Sequence, residues 1–381
     1  MIIGIDIRLI GKKRTGDEVV FFNLVKNLSR IDTDHEFRLF TDITDKPTLE
    51  QIEKDLGIDG KNNFKIIALE TANRFVWNFW SLGAYLRKNP VDIYHTQYIT
   101  PWFVPRKIKI VTIIHDISFN FFSKFIKWSD LLFLKMLIPV SLKRADAIIA
   151  VSEFTKKEIV SCYKVDPEKI HVAYNSVADE FSKLASDQEK EEARKKYGLP
   201  EKYILYVGTL QPRKNIPHLI EAFARIKDRL PEVKLVIGGN RKAHNFDKRI
   251  DRTIAKLGIE EEVIFAGYID DEDKTAVFAA AHVFAFPSLY EGFGIPILEA
   301  MSQQIPVLAS DIAPLREVGA DGALYGSCEN LDNFADMLYT VCADNQLRER
   351  LILFGTKRAG LFSWKKTAEK TLAIYSRLLH N

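Results

Sequence analysis

The chain has 381 residues, which is long for one domain and natural for two. Hydrophobic residues make up 47% of the sequence and charged residues 28%, so a disordered or fibrous protein is excluded. The formal net charge of +3 is too small to indicate a nucleic-acid-binding protein, and we expect no nucleic-acid partner.

Short apolar runs rich in isoleucine and valine recur along the first part of the chain. They occupy residues 2–7, 37–41, 64–69, 93–95, 108–115, 147–151 and 170–173. The segments between them have the spacing of amphipathic helices, as in Val20, Leu24 and Leu28. Strands this apolar have no solvent-exposed face, so the alternation predicts a parallel sheet covered by helices on both sides.

The composition changes between residues 179 and 196, where Asp, Ser, Glu and Lys dominate. We interpret this stretch as a linker with a short exposed helix. Apolar runs resume at residues 203–207, 234–237, 263–266, 283–286 and 306–309. The sequence therefore predicts an α/β protein with two Rossmann-like domains in tandem and a ligand cleft at the carboxyl ends of their strands.

The cysteines and the N-terminus indicate the compartment. The three cysteines, Cys162, Cys328 and Cys342, have neither zinc-site spacing nor the even number typical of a disulfide framework, which favours a reducing environment. The start, MIIGIDIRLI, is typical of a strand and not of a signal peptide. Lys135 and Pro139 interrupt the most apolar stretch, so no membrane span is predicted. We expect a cytoplasmic protein.

The most informative motif is PSLYEGFGIPILEAM, residues 287–301. A strand ends there, two glycines allow a tight turn, and Pro296 is placed where the first turn of a helix tolerates proline. The backbone N–H groups of such a helix start suit phosphate oxygens. Glu291 and Glu299 are candidate ligand contacts. The alternatives are a solvated loop carboxylate for Glu291 and compensation of the helix dipole for Glu299.

Three further positions are candidates because they follow predicted strands. Arg213 and Lys214 lie in GTLQPRKN, residues 208–215, where two fixed cations can clamp a diphosphate, although loop cations are commonly just solvated. His115 ends the strand 108–114 and can hydrogen-bond a polar ligand, although a lone histidine is often structural. The loop RTGDE, residues 14–18, contains Gly16 but lacks a dinucleotide fingerprint, and the chain has no P-loop.

These motifs together resemble the family-four retaining glycosyltransferases of GT-B architecture. EGFGIPILE resembles the two-glutamate motif of that family, and GTLQPRKNI, AVSEFTKKEI, VAYNSV, residues 265–288 and the His-Asp pair at 115–116 match its other motifs. Residues 362–379 resemble the last helix of the family, which crosses back to the first domain. The resemblance implies a first, acceptor-side domain of 1–180 completed by 364–381, and a second, donor-binding domain of 197–363.

The resemblance also implies roles for individual residues. Glu299 would hold the ribose hydroxyls of the nucleotide, Glu291 the hydroxyls of the transferred sugar, and His115 would lie at that sugar. Arg213 and Lys214 would neutralise the diphosphate. The remaining implied donor contacts are Gly16, Thr209, Tyr268, Ile269, Gly292, Phe293 and Gly294.

The chain departs from the family pattern in two places. Thr209 stands where family members often have an arginine, and we expect Arg213 to supply the second cation. Asp17 and Glu18 follow Gly16 where many members have a second glycine. Because acids repel a diphosphate, we expect these two side chains to point away from it or towards the acceptor.

The resemblance implies transfer of a sugar from a nucleotide diphosphate sugar to an acceptor hydroxyl, with retained anomeric configuration. Fixed cations and a helix N-terminus can stabilise the leaving diphosphate, so we expect neither a metal nor another cofactor. GTLQPRKN and the TGDE loop are similar to mannosyltransferases of bacterial surface-polysaccharide assembly. This similarity implies a GDP-mannose donor and a glycan or lipid-linked acceptor in lipopolysaccharide, O-antigen or exopolysaccharide synthesis.

Other functions fit the same sequence features. A nucleotide-sugar epimerase of this architecture would bind the donor without needing an acceptor site. A non-catalytic sugar-nucleotide sensor or an NAD-binding protein would release no nucleotide.

The segment 119–128 predicts contact with a membrane. Phe121, Phe122, Phe125 and Trp128 alternate there with Lys124 and Lys127, as in a segment that meets anionic lipid headgroups. We expect weak, salt-sensitive binding to the inner face of the membrane. The following residues, with Leu131, Leu134 and Ile138 facing inward, predict a helix packed on the sheet.

Overall fold

The computed structural model describes residues 1–12, 16–31, 33–243 and 245–380. The chain divides into two compact units. The first consists of Met1–Phe121, Lys127–Asn175 and Ser363–Asn381, and the second of Phe122–Ile126 and Ser176–Phe362.

The first unit is built on a seven-stranded parallel sheet. In chain order its strands are β1 (Ile2–Asp6), β2 (Glu36–Thr41), β3 (Phe64–Ala68), β4 (Ile93–Gln97), β5 (Lys109–Ile114), β6 (Ala147–Ala150) and β7 (Ile170–Val172). The spatial order is β3-β2-β1-β4-β5-β6-β7. The helices that precede residue 175 are α1 (Asp17–Leu28), α2 (Lys46–Leu56), α3 (Arg74–Val76), α4 (Leu82–Lys88), α5 (Trp128–Arg144) and α6 (Glu153–Tyr163). A π-helical turn, Trp77–Ser81, joins α3 to α4.

The core of the first unit lies on both faces of this sheet. Ile3 and Ile5 of β1 are fully buried on one face. On the other face, Gly4 is packed so closely that a Cβ atom there would lie 2.8 Å from the ring of Phe40. Ile3 is in register with Phe37 on one side and with Ile93 on the other. Burial on both faces is the reason that these strands are apolar runs and not alternating patterns.

The second unit contains a six-stranded parallel sheet. Its strands are β8 (Tyr203–Val207), β9 (Lys234–Gly238), β10 (Val263–Gly267), β11 (Val283–Phe286), β12 (Val307–Ser310) and β13 (Ala323–Gly326). Its helices are α7 (Asp187–Tyr197), α8 (Ile216–Ile226), α9 (Arg249–Leu257), α10 (Asp271–Ala279), α11 (Ile295–Ser302), α12 (Ala313–Gly319), α13 (Leu331–Ala343) and α14 (Asn345–Ala359). The spatial order is β10-β9-β8-β11-β12-β13.

The strand order of the second unit reverses direction at β8. The chain moves from β8 outward through β9 to β10, then returns to place β11 on the other side of β8. In an open parallel sheet, the loops that diverge at such a reversal leave a crevice at the carboxyl ends of the two strands. A ligand site is therefore expected at the loops after β8 and β11.

The two predicted parallel sheets are confirmed. Sequence analysis missed β13, because its four residues, Ala-Leu-Tyr-Gly, are too short and mixed to form an apolar run. The unit boundary falls after Asn175, so residues 176–180 belong to the second unit and not to the first, where the sequence analysis placed them.

The predicted linker is largely ordered and fastened to the second unit. Ser186 and Glu189 form a reciprocal cap at the start of α7. The side-chain amide of Gln303 donates to the carbonyl oxygens of Phe181 and Lys183 and accepts from the backbone N–H of Ala185. One side chain at the end of α11 thus holds the incoming chain by three hydrogen bonds.

The last helix, α15 (Trp364–His380), belongs to the first unit and packs against α1. Thr367 donates a hydrogen bond to the carbonyl oxygen of Tyr174 at 2.5 Å. Deeper in the unit, the hydroxyl of Tyr375 lies 2.5 Å from Nδ1 of His95 on β4, and both side chains are fully buried. Burial lowers the pKa of His95 to about 3, so this contact joins two neutral groups.

The membrane prediction for residues 119–128 needs correction at two positions. Phe119 is buried, and the ring of Phe122 lies 5.9 Å from that of Tyr290 inside the second unit, so neither is placed to meet lipid. Phe121 and Trp128 are exposed. The side chain of Phe125 lies outside the described residues.

The expectation for the following helix is correct only in part. Ile138 of α5 is buried, but Leu131 and Leu134 are half-buried, and the buried side is completed by Leu137 and Leu142. Among the described residues, no helix combines the length and apolar composition needed to cross a membrane.

Replacing Tyr375 by Phe should destabilise the first unit by about 1–3 kcal/mol, because a buried imidazole nitrogen loses its partner. The five tryptophans, at 77, 80, 102, 128 and 364, all belong to this unit, so fluorescence during urea unfolding follows it alone. Tyr85→Phe is the matched control, since Tyr85 is half-buried and packs its ring on Phe40. Equal unfolding free energies for the two variants would contradict the prediction.

Candidate functional site

The loops after β8 and β11 meet at the strand-order reversal of the second unit. The backbone N–H of Leu289 donates to the carbonyl oxygen of Arg213 at 2.9 Å, and the guanidinium of Arg213 donates to the carbonyl oxygen of Tyr290 at 3.2 Å. These hydrogen bonds fasten the basic loop to the glutamate motif. Neither motif, taken by itself, predicts this contact.

Lys214, Arg213 and Glu291 form a buried ion cluster across this junction. Nζ of Lys214 donates to Oε1 of Glu291 at 2.5 Å, and Nη1 of Arg213 lies 3.4 Å from Oε2. Lys214 is 8% exposed and Glu291 7%. The ammonium of Lys214 also lies 5.1 Å from the ring centre of Phe286, the last residue of β11. Three of the predicted site residues are therefore brought together.

The charge state of this cluster follows from its geometry. Burial by itself raises the pKa of Glu291, but the charges of Lys214 and Arg213 outweigh it and hold the pKa below the usual range of a glutamate. Two cations and one carboxylate leave the cluster with an excess of one positive charge. Such a cluster can bind an anion without first having to acquire a proton.

The start of α11 is shaped by Gly294. Its φ of 101° lies in the left-handed region, and a Cβ atom there would lie 2.6 Å from a methyl carbon of Leu315, so other residues are excluded. The ring of the preceding Phe293 packs 5.7 Å from Phe362. The segment Gly292–Gly294 is buried and leads directly into the first turn of α11.

Glu299 lies in the second turn of α11 and is half-buried. Burial raises its pKa to about 7, Lys274 of α10 opposes this shift, and Asp271 adds to it. Lys274 is itself paired with Asp271, whose carboxylate accepts from its ammonium at 2.5 Å. The sequence analysis missed Lys274, which has no motif around it.

The other predicted donor contacts lie at neighbouring strand ends. Tyr268 follows β10 and is half-exposed, so its ring is accessible. Ile269 is buried against Gly238, where a Cβ atom would lie 2.6 Å from its terminal methyl. Thr209 follows β8, and its carbonyl oxygen accepts from the hydroxyl of Tyr206 at 2.9 Å.

His115 belongs to the first unit, directly after β5. Its Nε2 lies 3.2 Å from Oε1 of Gln97, and the ring of Tyr98 is centred 5.5 Å away. Tyr98 has a φ of 55°, an uncommon conformation for a residue with a side chain. Gln97 ends β4 and Tyr98 follows it, just as His115 follows β5, so the same strand-end rule identifies these two residues, which were not among the predicted candidates.

Gly16 also belongs to the first unit and caps α1 with a φ of 72°. The neighbouring Arg14 and Thr15 lie outside the described residues, as does the side chain of Asp17. The carboxylate of Glu18 accepts from the backbone N–H of Gly11 at 2.9 Å, so it is engaged within its own loop. The contacts implied for Gly16 and His115 stay predictions.

One acidic cluster among the described residues has a spacing that a metal ion could use. Asp270, Glu272 and Asp273 bring carboxylate oxygens within 4.8 Å of one another. The ammonium of Lys196 donates to Asp270 and Asp273 at 3.0 and 2.6 Å, and the hydroxyl of Tyr197 donates to Asp273 at 2.7 Å. We interpret this cluster as an ionic contact that holds α7 against the start of α10.

Known families and proteins match nearly the whole chain. Residues 187–358 match the family described as Glycosyl transferases group 1, and residues 14–181 match Glycosyltransferase Family 4. The O-antigen chain mannosyltransferase B of Escherichia coli is 27% identical over 365 residues, which cover 93% of this chain and 94% of that protein. The O-antigen chain mannosyltransferase RfbU of Salmonella typhimurium is 30% identical over 267 residues, 69% of each chain.

A solved structure shows the same fold. Anabaena HepE, determined in complex with UDP and glucose, matches with a TM-score of 0.74 and 18% identity, over 99% of this chain and all of that one. The two Rossmann-like sheets and the C-terminal return to the first unit form the GT-B fold. The chain belongs to the group 1 and family 4 glycosyltransferases.

Lys214→Met should destabilise the second unit by about 3 kcal/mol or more, because it leaves Glu291 as a buried carboxylate with weaker compensation. The double variant Lys214→Met with Glu291→Gln removes both charges and should recover most of that loss. Calorimetric unfolding of the two variants and the parent measures the difference. A single variant as stable as the parent would show that the ion pair is not needed for stability.

Proposed function

We propose that the protein is a retaining hexosyltransferase that moves mannose from GDP-mannose to a hydroxyl group of a growing bacterial surface polysaccharide. The names of the two bacterial relatives, both O-antigen chain mannosyltransferases, support the sugar and the product. The likeness of GTLQPRKN to such enzymes supports the donor. Retention is proposed from the resemblance to the family-four enzymes.

The observation that carries the proposal is the ion cluster of Lys214, Arg213 and Glu291. It lies at the strand-order reversal, between the loop after β8 and the motif that leads into α11, and has an excess of positive charge. A diphosphate is the anion that suits two fixed cations next to a helix N-terminus. Glu291 accepts from Lys214 and so orients it. In this proposal Glu291 also accepts hydrogen bonds from sugar hydroxyls, which would join the two roles in one cluster.

The reaction breaks the bond between the anomeric carbon and the diphosphate oxygen, and the bonding electrons leave with the nucleoside diphosphate. Lys214 and Arg213 stabilise the negative charge that develops on that oxygen. The acceptor oxygen forms its bond to the anomeric carbon on the same face, and its proton passes to the departing phosphate. Glu299 accepts hydrogen bonds from the ribose and acts in binding.

Lys214→Ala should lower turnover by about a hundredfold or more, because removal of one oriented charge stabiliser costs about 3 kcal/mol in the transition state. Lys256→Ala, which removes an exposed lysine of α9, is the control. The stability-restored variant, Lys214→Met with Glu291→Gln, should stay inactive. Turnover near the parent value in a folded Lys214→Ala protein would reject the diphosphate role.

Binding of the donor should depend on the ionisation of Glu299. Its pKa is raised to about 7, so the carboxylate is mostly protonated near pH 6 and mostly ionised near pH 8. If the ionised form binds the ribose, affinity should fall about tenfold as the pH is lowered between these values. Affinity at the two pH values should be measured by calorimetric titration with a nucleotide sugar, because its diphosphate is esterified at both ends and keeps the same charge between them. Glu299→Gln should bind weakly and without this pH dependence.

The activity itself is tested by incubating the purified protein with GDP-mannose and a mannan acceptor, with and without EDTA. We expect a new mannoside and free GDP, with the α linkage of the donor retained, and activity that persists in the chelator. Conversion of the donor without an acceptor would indicate an epimerase. Binding of the donor with no release of GDP would indicate a sensor. Release of nucleotide from other nucleotide sugars, but not from GDP-mannose, would reject the assigned donor.

A further inference from the structure

The chain turns sharply where β4 ends. The backbone N–H of Ile99 donates to the carbonyl oxygen of Gln97 at 2.5 Å, which closes a three-residue γ-turn with Tyr98 at its centre. Tyr98 has a φ of 55°, and a γ-turn with a positive φ at its centre is the rare, strained form. The hydroxyl of Thr96 donates to the carbonyl oxygen of Ile99 at 3.3 Å. Two hydrogen bonds therefore fix the turn in its strained form.

This γ-turn is joined to the end of β5, which lies beside β4 in the sheet. Gln97 is in register with Ile113, and the backbone N–H of Tyr98 donates to the carbonyl oxygen of Ile113 at 3.0 Å. The hydrogen bonding between the two strands thus continues into the turn. It brings Gln97 and Tyr98 next to His115, which follows Ile113 by two residues.

The side chains of the γ-turn contact His115 and the residue after it. Oε1 of Gln97 lies 3.2 Å from Nε2 of His115, and the ring of Tyr98 is centred 5.5 Å from the imidazole. The hydroxyl of Tyr98 accepts from the backbone N–H of Asp116 at 3.3 Å. His115 is 8% exposed. A hydrogen bond, a ring contact and an anchored main chain therefore hold the imidazole in place.

The contact with Gln97 also selects the tautomer of His115. An amide oxygen only accepts hydrogen bonds, so the neutral imidazole makes this contact with its proton on Nε2. The other tautomer would set two acceptors against each other. Gln97 thus determines both how the ring is oriented and which nitrogen carries the proton.

Tyrosine is an unfavourable residue at the centre of this γ-turn, because glycine adopts a positive φ without strain. The presence of Tyr98 is explained if its side chain has a task that glycine cannot perform. The contacts described above, of the ring with His115 and of the hydroxyl with Asp116, are such a task. Strained residues that persist in a folded protein cluster at sites where groups have to be held in place.

We propose that Gln97 and Tyr98 are positioning residues, which hold the imidazole of His115 in one orientation and one tautomer towards the transferred sugar. The inference rests on the proposed function, together with the sugar contact that the family resemblance implies for His115. An imidazole that is already oriented needs no rearrangement as the bond to the anomeric carbon breaks. Its benefit therefore falls on turnover more than on donor binding.

The tautomer is tested without donor or acceptor, on the full chain labelled with ¹⁵N-histidine. Long-range ¹H–¹⁵N correlation spectra above neutral pH distinguish the two tautomers, and His115→Gln assigns the signal. The parent should show His115 with its proton on Nε2, and Gln97→Met, which cannot accept in this way, should show a mixture. A parent with the proton on Nδ1, or a single unchanged tautomer in Gln97→Met, overturns the proposal.

The effect on the reaction is tested with the same variant. Gln97→Met should lower kcat by about tenfold or more and leave KM for the donor within about twofold, because the ring is still present but no longer held. The control is Gln51→Met, which removes an exposed glutamine of α2 that donates to Asp55 at 2.7 Å. Equal turnover in the Gln97 and Gln51 variants contradicts a positioning role for Gln97.

Gln97→Glu provides a readout that a merely structural role would not move. The side chain keeps its size, but a carboxylate next to Nε2 favours the charged imidazole. At saturating donor, the acidic limb of the kcat profile should therefore move to higher pH by about one unit. A profile that coincides with that of the parent overturns the assignment of Gln97.

Two substitutions of Tyr98 separate stability from activity. Tyr98→Gly and Tyr98→Ala remove the same ring, but only glycine relieves the positive φ, so the glycine variant should have the higher melting temperature. Both should lower kcat by about tenfold or more, because His115 loses its ring contact. Parent-like turnover in the glycine variant overturns the role of Tyr98. Absence of transfer by the parent rejects the proposed function instead, and the tautomer spectra then decide the inference.

Discussion

A carboxylate buried at the edge of a sheet has to be neutralised, and here two cations on a neighbouring loop neutralise it. Glu291 is 7% exposed, and Lys214 and Arg213 both reach its oxygens. The contact requires that β8 and β11 be neighbours, although β9 and β10 separate them in the sequence. The neutralisation of Glu291 therefore depends on the order of the strands in the sheet.

The loops around Glu291 are also restricted in conformation. The backbone of residues 289–290 is hydrogen-bonded to Arg213. Gly294 has a conformation that only glycine adopts readily, and Leu315 leaves no room for a Cβ atom there. The start of α11 is therefore fixed relative to the two cations before any ligand arrives. Preorganised charges of this kind stabilise an anion without the cost of orienting it.

The sequence allowed both sheets and the main site motifs to be predicted, because buried parallel strands are continuous apolar runs and strand-end loops have recognisable residues. β13 could not be recognised, because its four mixed residues show no periodic pattern of apolar side chains. The contacts of Lys274 with Asp271 and of Gln303 with residues 181–185 depend on tertiary packing and have no local pattern.

The return of α15 to the first unit has a consequence for how the protein is made. The second unit, apart from residues 122–126, is one uninterrupted stretch from Ser176 to Phe362, whereas the first unit needs its final helix to cover α1 and to pair Tyr375 with His95. During synthesis, α15 emerges only after the second unit. The first unit is therefore completed later than the second, and until then His95 and its neighbours on β4 lack their covering helix.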